Sequence, residues 1–357
     1  MKICTFTTVK DEEDIIESFV RYHLNIVDKM IISDNCSNDN TLNILKKLKN
    51  EGLDIDILED HNQYFDQNKK RKELLEYTID NYKPDFIFPI DADEFISCNS
   101  NKNPREIIEK LDKNLLYSYK MINFIINAED DEKELFVPKR MKYRRVESSN
   151  EGYTFKSFFP SNIYNKYFVM NMGCHSAYYE DGTKMNSKTI NDLFLAHYPV
   201  RSKKQIMNKV IIGRLNNSSL HSRKEGHGFH QYKILDEIIK EGTLSNDTLY
   251  DISRNYGIKQ DVANESNIIK EQNNTSFCKS IKIKYYEPKN SNLLSNTIKA
   301  SETIIDKMRD KNTDLYTKYN NLYANYYNIE KQYENIINSK RWKLINGFCN
   351  FFRRRKK

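Results

Sequence analysis

The stretch that most constrains this chain is Asp85-Phe86-Ile87-Phe88-Pro89-Ile90-Asp91-Ala92-Asp93-Glu94-Phe95. A short, continuous apolar run that follows Pro84 and ends in three acids reads as a strand buried on both faces, with its charge at the carboxyl end. That edge of an open α/β sheet is where ligands bind, because the strands stop and the loops diverge. Strand alternation puts Asp91 and Asp93 on one side, with Ala92 leaving the space between them open. Two hard oxygen ligands so placed suit Mg²⁺ or Mn²⁺, and such a metal can hold a diphosphate. The same acids also suit a polar turn that closes a core strand.

The residues before this stretch repeat one pattern. Lys2 to Val9 is β-branched and aromatic, and the acidic start Lys10-Asp11-Glu12-Glu13-Asp14 leads into Ile15, Ile16, Phe19 and Val20 at helical spacing. Lys29 to Ser33 is a second strand, Asp34 to Thr41 a loop, and Leu42, Leu45 and Leu48 mark the next helix. Ile55 to Leu58 predicts a third strand and Gln67 to Tyr82 a third helix. Four β-α units in succession imply a doubly wound, mainly parallel sheet with right-handed crossovers. Asn103-Pro104-Arg105-Glu106 then has the composition of a capped helix start.

Beyond Tyr117 the strands lose their helices: Tyr117 to Ile126, Leu135 to Arg145, Tyr167 to Tyr179 and Leu193 to His197 predict a mixed second half. Ser202-Lys203-Lys204-Gln205 is a capping-box pattern for a helix to about Leu215. Residues 217–231 read as a mobile polar loop; its His221, His227 and His230 favour exposed polar roles over a metal site. Residues 234–300 read as helical fragments. From Ile305 an a/d heptad seam runs through Asn312, Tyr319, Tyr326 and Tyr333, interleaved by Met308, Leu315, Leu322, Ile329 and Ile336. It suits a coiled coil joining chains, or a long helix lying on its own domain. The parts are therefore 1–116, 117–233, 234–300, a heptad helix 301–340 and a tail 341–357.

The tail decides how the charge is read. Of 57 basic residues eight lie from Lys340 onward, leaving 49 against 50 acids in the body, so the body carries no nucleic-acid footprint. Trp342, Phe348, Phe351 and Phe352 with Arg353 to Lys357 suit peripheral contact with an anionic membrane, or a solvated basic terminus. No apolar run is long enough to span a bilayer and the chain starts in a strand, so a cytoplasmic location is expected. The six cysteines are scattered without a C-x-x-C pair and read as reduced thiols.

The ordered set Lys10-Asp11-Glu12, Asp34-Asn-Cys-Ser-Asn-Asp39-Asn-Thr and Asp91-Ala-Asp93-Glu-Phe resembles glycosyltransferases of the GT-A fold, in the bacterial family-2-like group. Ala196-His197-Tyr198-Pro199-Val200-Arg201-Ser202 is similar to that group's His-Tyr-x-x-Arg-Ser segment. The likeness covers roughly residues 1–215. Cys36 and Asn40 stand where the group carries glycines, and Lys10-Asp11 where it carries Arg-Asn. The resemblance implies that Thr8, Lys10 and Glu12 border a nucleotide, that Asp34 contacts its base or ribose, and that Asp39 shapes the loop. It further implies that Asp91 faces ribose or sugar, that Asp93 binds the metal, and that His197 completes the metal shell, with His175 as the rival. Arg201 and Lys209 would add positive potential.

An inverting transfer, itself implied only by the resemblance, needs a carboxylate at the acceptor hydroxyl. Asp181 is the first choice, and Glu180, Glu129, Asp130, Asp131 and Glu225 are alternatives. The expected partners are a nucleotide-sugar donor and a carbohydrate or glycolipid acceptor in surface polysaccharide synthesis. Two other functions are open: an oligomerising assembly protein with a vestigial nucleotide site, and a sugar nucleotidyltransferase. The second lacks the Gly-rich phosphate loop after its first strand.

Overall fold

The computed structural model describes residues 1–60, 67–146, 154–165, 167–218, 240–241, 243–257, 268–288 and 293–339, with positions 234 and 238. Glu225, His221, His227, His230 and the tail from Lys340 lie outside the described residues. The chain divides into two compact units, Met1–Ala300 and Ser301–Lys357.

In the first unit, strands β1 (Ile3–Val9), β2 (Lys29–Asp34), β3 (Ile55–Glu59) and β4 (Phe86–Pro89) pair in the order β3-β2-β1-β4, all parallel. Helices α1 (Ile16–His23), α2 (Thr41–Asn50) and α3 (Gln67–Tyr82) connect them. The parallel β-α succession read from the sequence is thus the observed first half. After β4 the pattern ends: β5 (Glu94–Cys98) leaves the parallel ladder, and the five-residue helix α4 (Pro104–Ile108) starts on a capping box between Asn103 and Glu106.

The second half is mixed. β6 (Leu116–Ile125) runs parallel to β11 (Ser187–His197) and antiparallel to β7 (Tyr143–Arg145) and β8 (Phe155–Pro160), and β8 also runs antiparallel to β4. β8 joins the two halves through its aromatics: Phe158 stacks on Phe88 with centroids 4.3 Å apart and lies 5.4 Å from Tyr117. The sequence reading passed over β8 altogether.

Three expectations are corrected. Leu135 to Arg145 is not one strand, because Pro138 sits in the first turn of a short helix, α5 (Val137–Arg140), and only Tyr143–Arg145 pairs. Tyr167 to Tyr179 is a ribbon of β9 (Phe168–Met170) and β10 (Ala177–Tyr179), broken at Gly173, whose φ is 81°. A Cβ there would stand 2.4 Å from the His175 ring, so both the backbone and the space require glycine.

The third concerns residues 234–300, which are not uniformly helical. Beyond α6 (Lys203–Ser218) and α7 (Asn246–Arg254), β12 (Ile268–Lys270) pairs with β7, and Phe277, Ile281, Ile283 and Tyr285 return to pack on the core of the first half. Glu17 of α1, 1% exposed, accepts the Lys284 and Tyr285 amides at 2.9 and 2.8 Å. The second unit carries most of α8 (Leu293–Asn338), on which the heptad residues Leu315, Leu322 and Ile329 are 55, 70 and 66% exposed.

Under β5, fully buried His23 is satisfied on both ring nitrogens, by the Phe19 carbonyl at 2.9 Å and the Ile96 amide at 3.2 Å. Accepting from Ile96 fixes Nε2 as the bare nitrogen, and burial holds the ring pKa down to about 3. The unfolded chain therefore takes up a proton that the fold refuses, and stability is lost as pH falls from about 6.5 toward the folded value. Urea unfolding between pH 6 and 4 should show wild-type stability falling about 1.4 kcal/mol per pH unit more steeply than that of His23→Gln.

Candidate active site

The site forms at the carboxyl edge because the registers of three strands end together: Val9 lies opposite Asp34, and Phe6 opposite Pro89. The Ile90 amide reaches Phe6 O at 3.3 Å, and there the chain turns. The Asp91 amide donates to Glu94 Oε2 at 2.8 Å and the Glu94 amide to Asp91 O at 3.0 Å, a reciprocal clasp. Asp91-Ala92-Asp93 is therefore a turn and not the end of a strand, and the expectation that both carboxylates share one side by alternation is corrected. They face different partners.

Asp91 faces structural cations. Its oxygens meet Arg71 of α3 at 3.2 Å and Lys156 of β8 at 2.9 Å, and Lys156 also pairs with Glu94. Burial pushes the Asp91 carboxyl up, but Lys156 and Arg71 outweigh it and hold it below the ordinary value. Glu94 is raised by burial against Lys156, and Lys156 itself is raised, its burial being overcome by the two acids.

Asp93, 6% exposed, faces the second half of the fold. Its Oδ2 lies 3.2 Å from Lys209 Nζ, 3.6 Å from His197 Nε2 and 3.9 Å from the Arg201 guanidinium. Burial pushes this carboxyl up too, and Lys209, His197 and Arg201 together hold it well below the usual range. His197 Nδ1 donates to Asn123 Oδ1 at 2.7 Å, which points Nε2 toward Asp93. Fully buried Arg201 continues the cluster. It binds Asp14 twice at 2.8 Å and Glu12 at 2.5 Å, and donates to Tyr198 O at 2.9 Å.

The loops after β1 and β2 are bound into one wall. Lys10 Nζ donates to the carbonyls of Asn35 and Cys36, both at 3.0 Å, so its charge serves the loop. Asp39 accepts the Thr41 and Glu13 amides at 2.9 and 3.1 Å. Cys36 takes φ 52°, the left-handed backbone that a glycine would supply, whereas Asn40 takes an ordinary φ of −83° before α2. Asp34, 3% exposed, accepts the Ser37 amide at 3.0 Å through Oδ2, and its Oδ1 is buried without a partner. Thr8 lines a pocket of about 10 Å³, room for one water, with Thr7, Arg71, Asp91 and Cys174.

The structure thus brings Glu12, Asp93, His197, Arg201 and Lys209 together, sets Thr8 beside Asp91, and ties Lys10 to the loop that carries Asp34. Asp181 stands apart: it is exposed in the turn after β10 and accepts the Thr183 amide at 2.8 Å, the work of a turn acid. His175 is exposed as well and bonds the Phe155 carbonyl at 2.7 Å. Sequence reasoning missed Asp14, Arg71, Asn123 and Lys156. Only Lys156 left a signal, as a lone cation inside the aromatic run Phe155 to Phe159.

A divalent cation fits in part. An imidazole nitrogen and a carboxylate oxygen 3.6 Å apart are spaced as two ligands of one ion can be. Among the described residues no group of three or more His, Cys, Asp or Glu could hold a metal, so the other ligands would come from substrate and water.

Compared with known proteins, the chain matches no family model and no curated protein. Among solved structures it is similar to S. aureus TarS 1–349 in complex with UDP, at 13% identity and TM-score 0.33, over 67% of this chain and 72% of that one. It is also similar to the mannosyltransferase PcManGT from Pyrobaculum calidifontis in complex with GDP-Man and Mn²⁺, at 10% identity and TM-score 0.37, over 71 and 68%. A third is HddC from Yersinia pseudotuberculosis, at 11% identity and TM-score 0.33, over 55 and 93%. Likenesses at this level decide nothing about chemistry.

Glu12 provides a pH test of the cluster. Burial raises its carboxyl to about 7, against the pull of Arg201 and Lys209. A raised acid stabilises the fold fully below its ordinary pKa and loses that contribution as pH rises through the folded value. The stability of Glu12→Gln, whatever it loses at Arg201, should therefore rise relative to that of wild type as pH goes from about 5 to 7, by at most about 1.4 kcal/mol per pH unit in denaturant titrations.

Proposed function

We propose that this chain is a glycosyltransferase that moves a sugar from a nucleoside-diphosphate sugar to a carbohydrate or glycolipid acceptor with the help of Mn²⁺ or Mg²⁺. The observation that carries this reading is His197 Nε2 facing Asp93 Oδ2 at 3.6 Å, at the carboxyl edge of the parallel strands. Asp93 and His197 would hold the metal, which as a Lewis acid stabilises the negative charge of the departing diphosphate. Arg201 and Lys209 add fixed positive charge to the same place. The unpartnered Asp34 Oδ1 is suited to accept a hydrogen bond from the base or the ribose. Inversion and a role in surface polysaccharide synthesis belong to this proposal, and Asp181 gives way as the base because its carboxylate is spent in its own turn.

The exposed heptad face of α8 supports self-association through a coiled coil, and the basic aromatic tail supports contact with an anionic membrane surface. Among the described residues no helix is long and apolar enough to cross a membrane. A vestigial site has one observation in its favour: Lys209 lies 3.2 Å from Asp93 and can neutralise it without a metal.

Thermal shift with uridine, guanosine, cytidine and thymidine diphosphates, each with Mn²⁺, Mg²⁺ or chelator, separates these readings. One nucleotide at about 100 times its dissociation constant should add roughly 2.7 kcal/mol of stability, with metal only. Asp93→Asn should lose the metal-dependent part while keeping its fold. A shift indifferent to chelator would remove the metal, and no shift at all would leave the assembly protein.

A further inference from the structure

Beside the Arg201 cluster lies a cavity of about 450 Å³, the size of a small-ligand pocket, which has Asp14 and Arg201 in its wall. Its other walls include Asp130 from the loop after β6, Arg140 of α5, Lys203 and Lys204 at the start of α6, Tyr250 of α7 and Tyr286. Among the described residues no carboxylate lies within ion-pair distance of Arg140, Lys203 or Lys204, and the one side-chain bond of Arg140 is to the Arg201 carbonyl at 3.3 Å. Of the acids in the wall, Asp14 is occupied by Arg201, and Glu132 is exposed. The amino ends of α6 and α7 both open here, with Lys203, Lys204 and Asn246 in the lining, and each adds partial positive charge.

Asp130 supplies the complementary feature. Its Oδ2 accepts the Asn127 amide at 2.9 Å, while its Oδ1 is buried with no well-formed hydrogen bond, the Lys142 amide being its nearest donor. A buried carboxylate oxygen lacking a well-formed bond is costly to leave so, and an O–H group would satisfy it. Burial also raises this carboxyl above its ordinary value. Tyr250 and Tyr286 offer amphipathic rings to the body of a polyol.

We infer that this cavity receives the acceptor, and that the acceptor is a polyol or sugar bearing a phosphate group. The phosphate meets Arg140, Lys203 and Lys204, and a hydroxyl donates to Asp130 Oδ1. Acceptor binding is read here on the transferase proposal, whereas phosphate binding in the cavity is not conditional on it.

The test measures binding of glycerol 3-phosphate and glucose 6-phosphate to the full chain by calorimetry, with glycerol and glucose as controls. Only the phosphorylated probes should bind, and Lys203→Gln with Lys204→Gln should weaken them at least tenfold. Arg140→Gln should do the same; should it fail to fold, the less buried lysine pair keeps the test readable. Asp130→Asn should weaken glycerol 3-phosphate severalfold but leave inorganic phosphate as it was. Retention on phosphatidylcholine vesicles only when they contain phosphatidic acid, lost in the double lysine variant, would place the phosphate on a lipid headgroup. Equal behaviour of phosphorylated and plain probes, together with equal retention on both vesicles, overturns the inference. Nucleoside diphosphates run in parallel separate the two proposals: phosphate probes binding without them sinks the donor reading alone, and the reverse sinks the cavity alone.

Discussion

A guanidinium with no access to solvent holds the two halves of this fold in register. Arg201 reaches Asp14 and Glu12 from the loop after β1, and Asp93 from the turn after β4, while its own backbone follows β11 and leads into α6. A charge so placed is tolerable only with partners, and removing one partner of a buried pair costs about 3–5 kcal/mol because the other is left uncompensated. The geometry of the candidate site is in that sense imposed on it: the loop, the turn and the helix start must all arrive for any of them to be satisfied.

The Asp91–Glu94 clasp divides this charge into two nests. Asp91 and Glu94 turn toward Lys156 of β8 and Arg71 of α3, and Asp93 turns toward His197, Lys209 and Arg201 around the end of β11 and the start of α6. The motif therefore spends Glu94 on holding its own turn and leaves Asp93 to the cations of the second half. The polar turn closing a core strand, one of the two alternatives the sequence left open, is present, and Asp93 lies in it facing the second half of the fold.

The first half was legible because its signals are local: β-branched runs, acidic helix starts and turn residues recur in order, and Ser202 does accept the Gln205 amide that its capping pattern implied. What escaped was set by distant partners. Alternation misplaced Asp91 and Asp93 because β4 stops at Pro89 and the chain turns, a fact decided by pairing with β1. β8 went unread because its lysine is buried, 1% exposed, among aromatics, which the acids of the turn after β4 make tolerable. Arg71 and Asn123 had no signature, since nothing in a helix of mixed charge or in a strand shows which side chain will meet Asp91 or His197.

Glu17 adds a consequence for how the protein is made. Its carboxylate takes the amides of Lys284 and Tyr285, residues 267 and 268 positions further along. A nascent chain that has released the whole first half from the ribosome still lacks the segment that covers α1, so that half remains unfinished until nearly the entire body has been synthesised. Contacts of such separation delay folding, and they leave α1 with an uncovered apolar flank for as long as translation lasts.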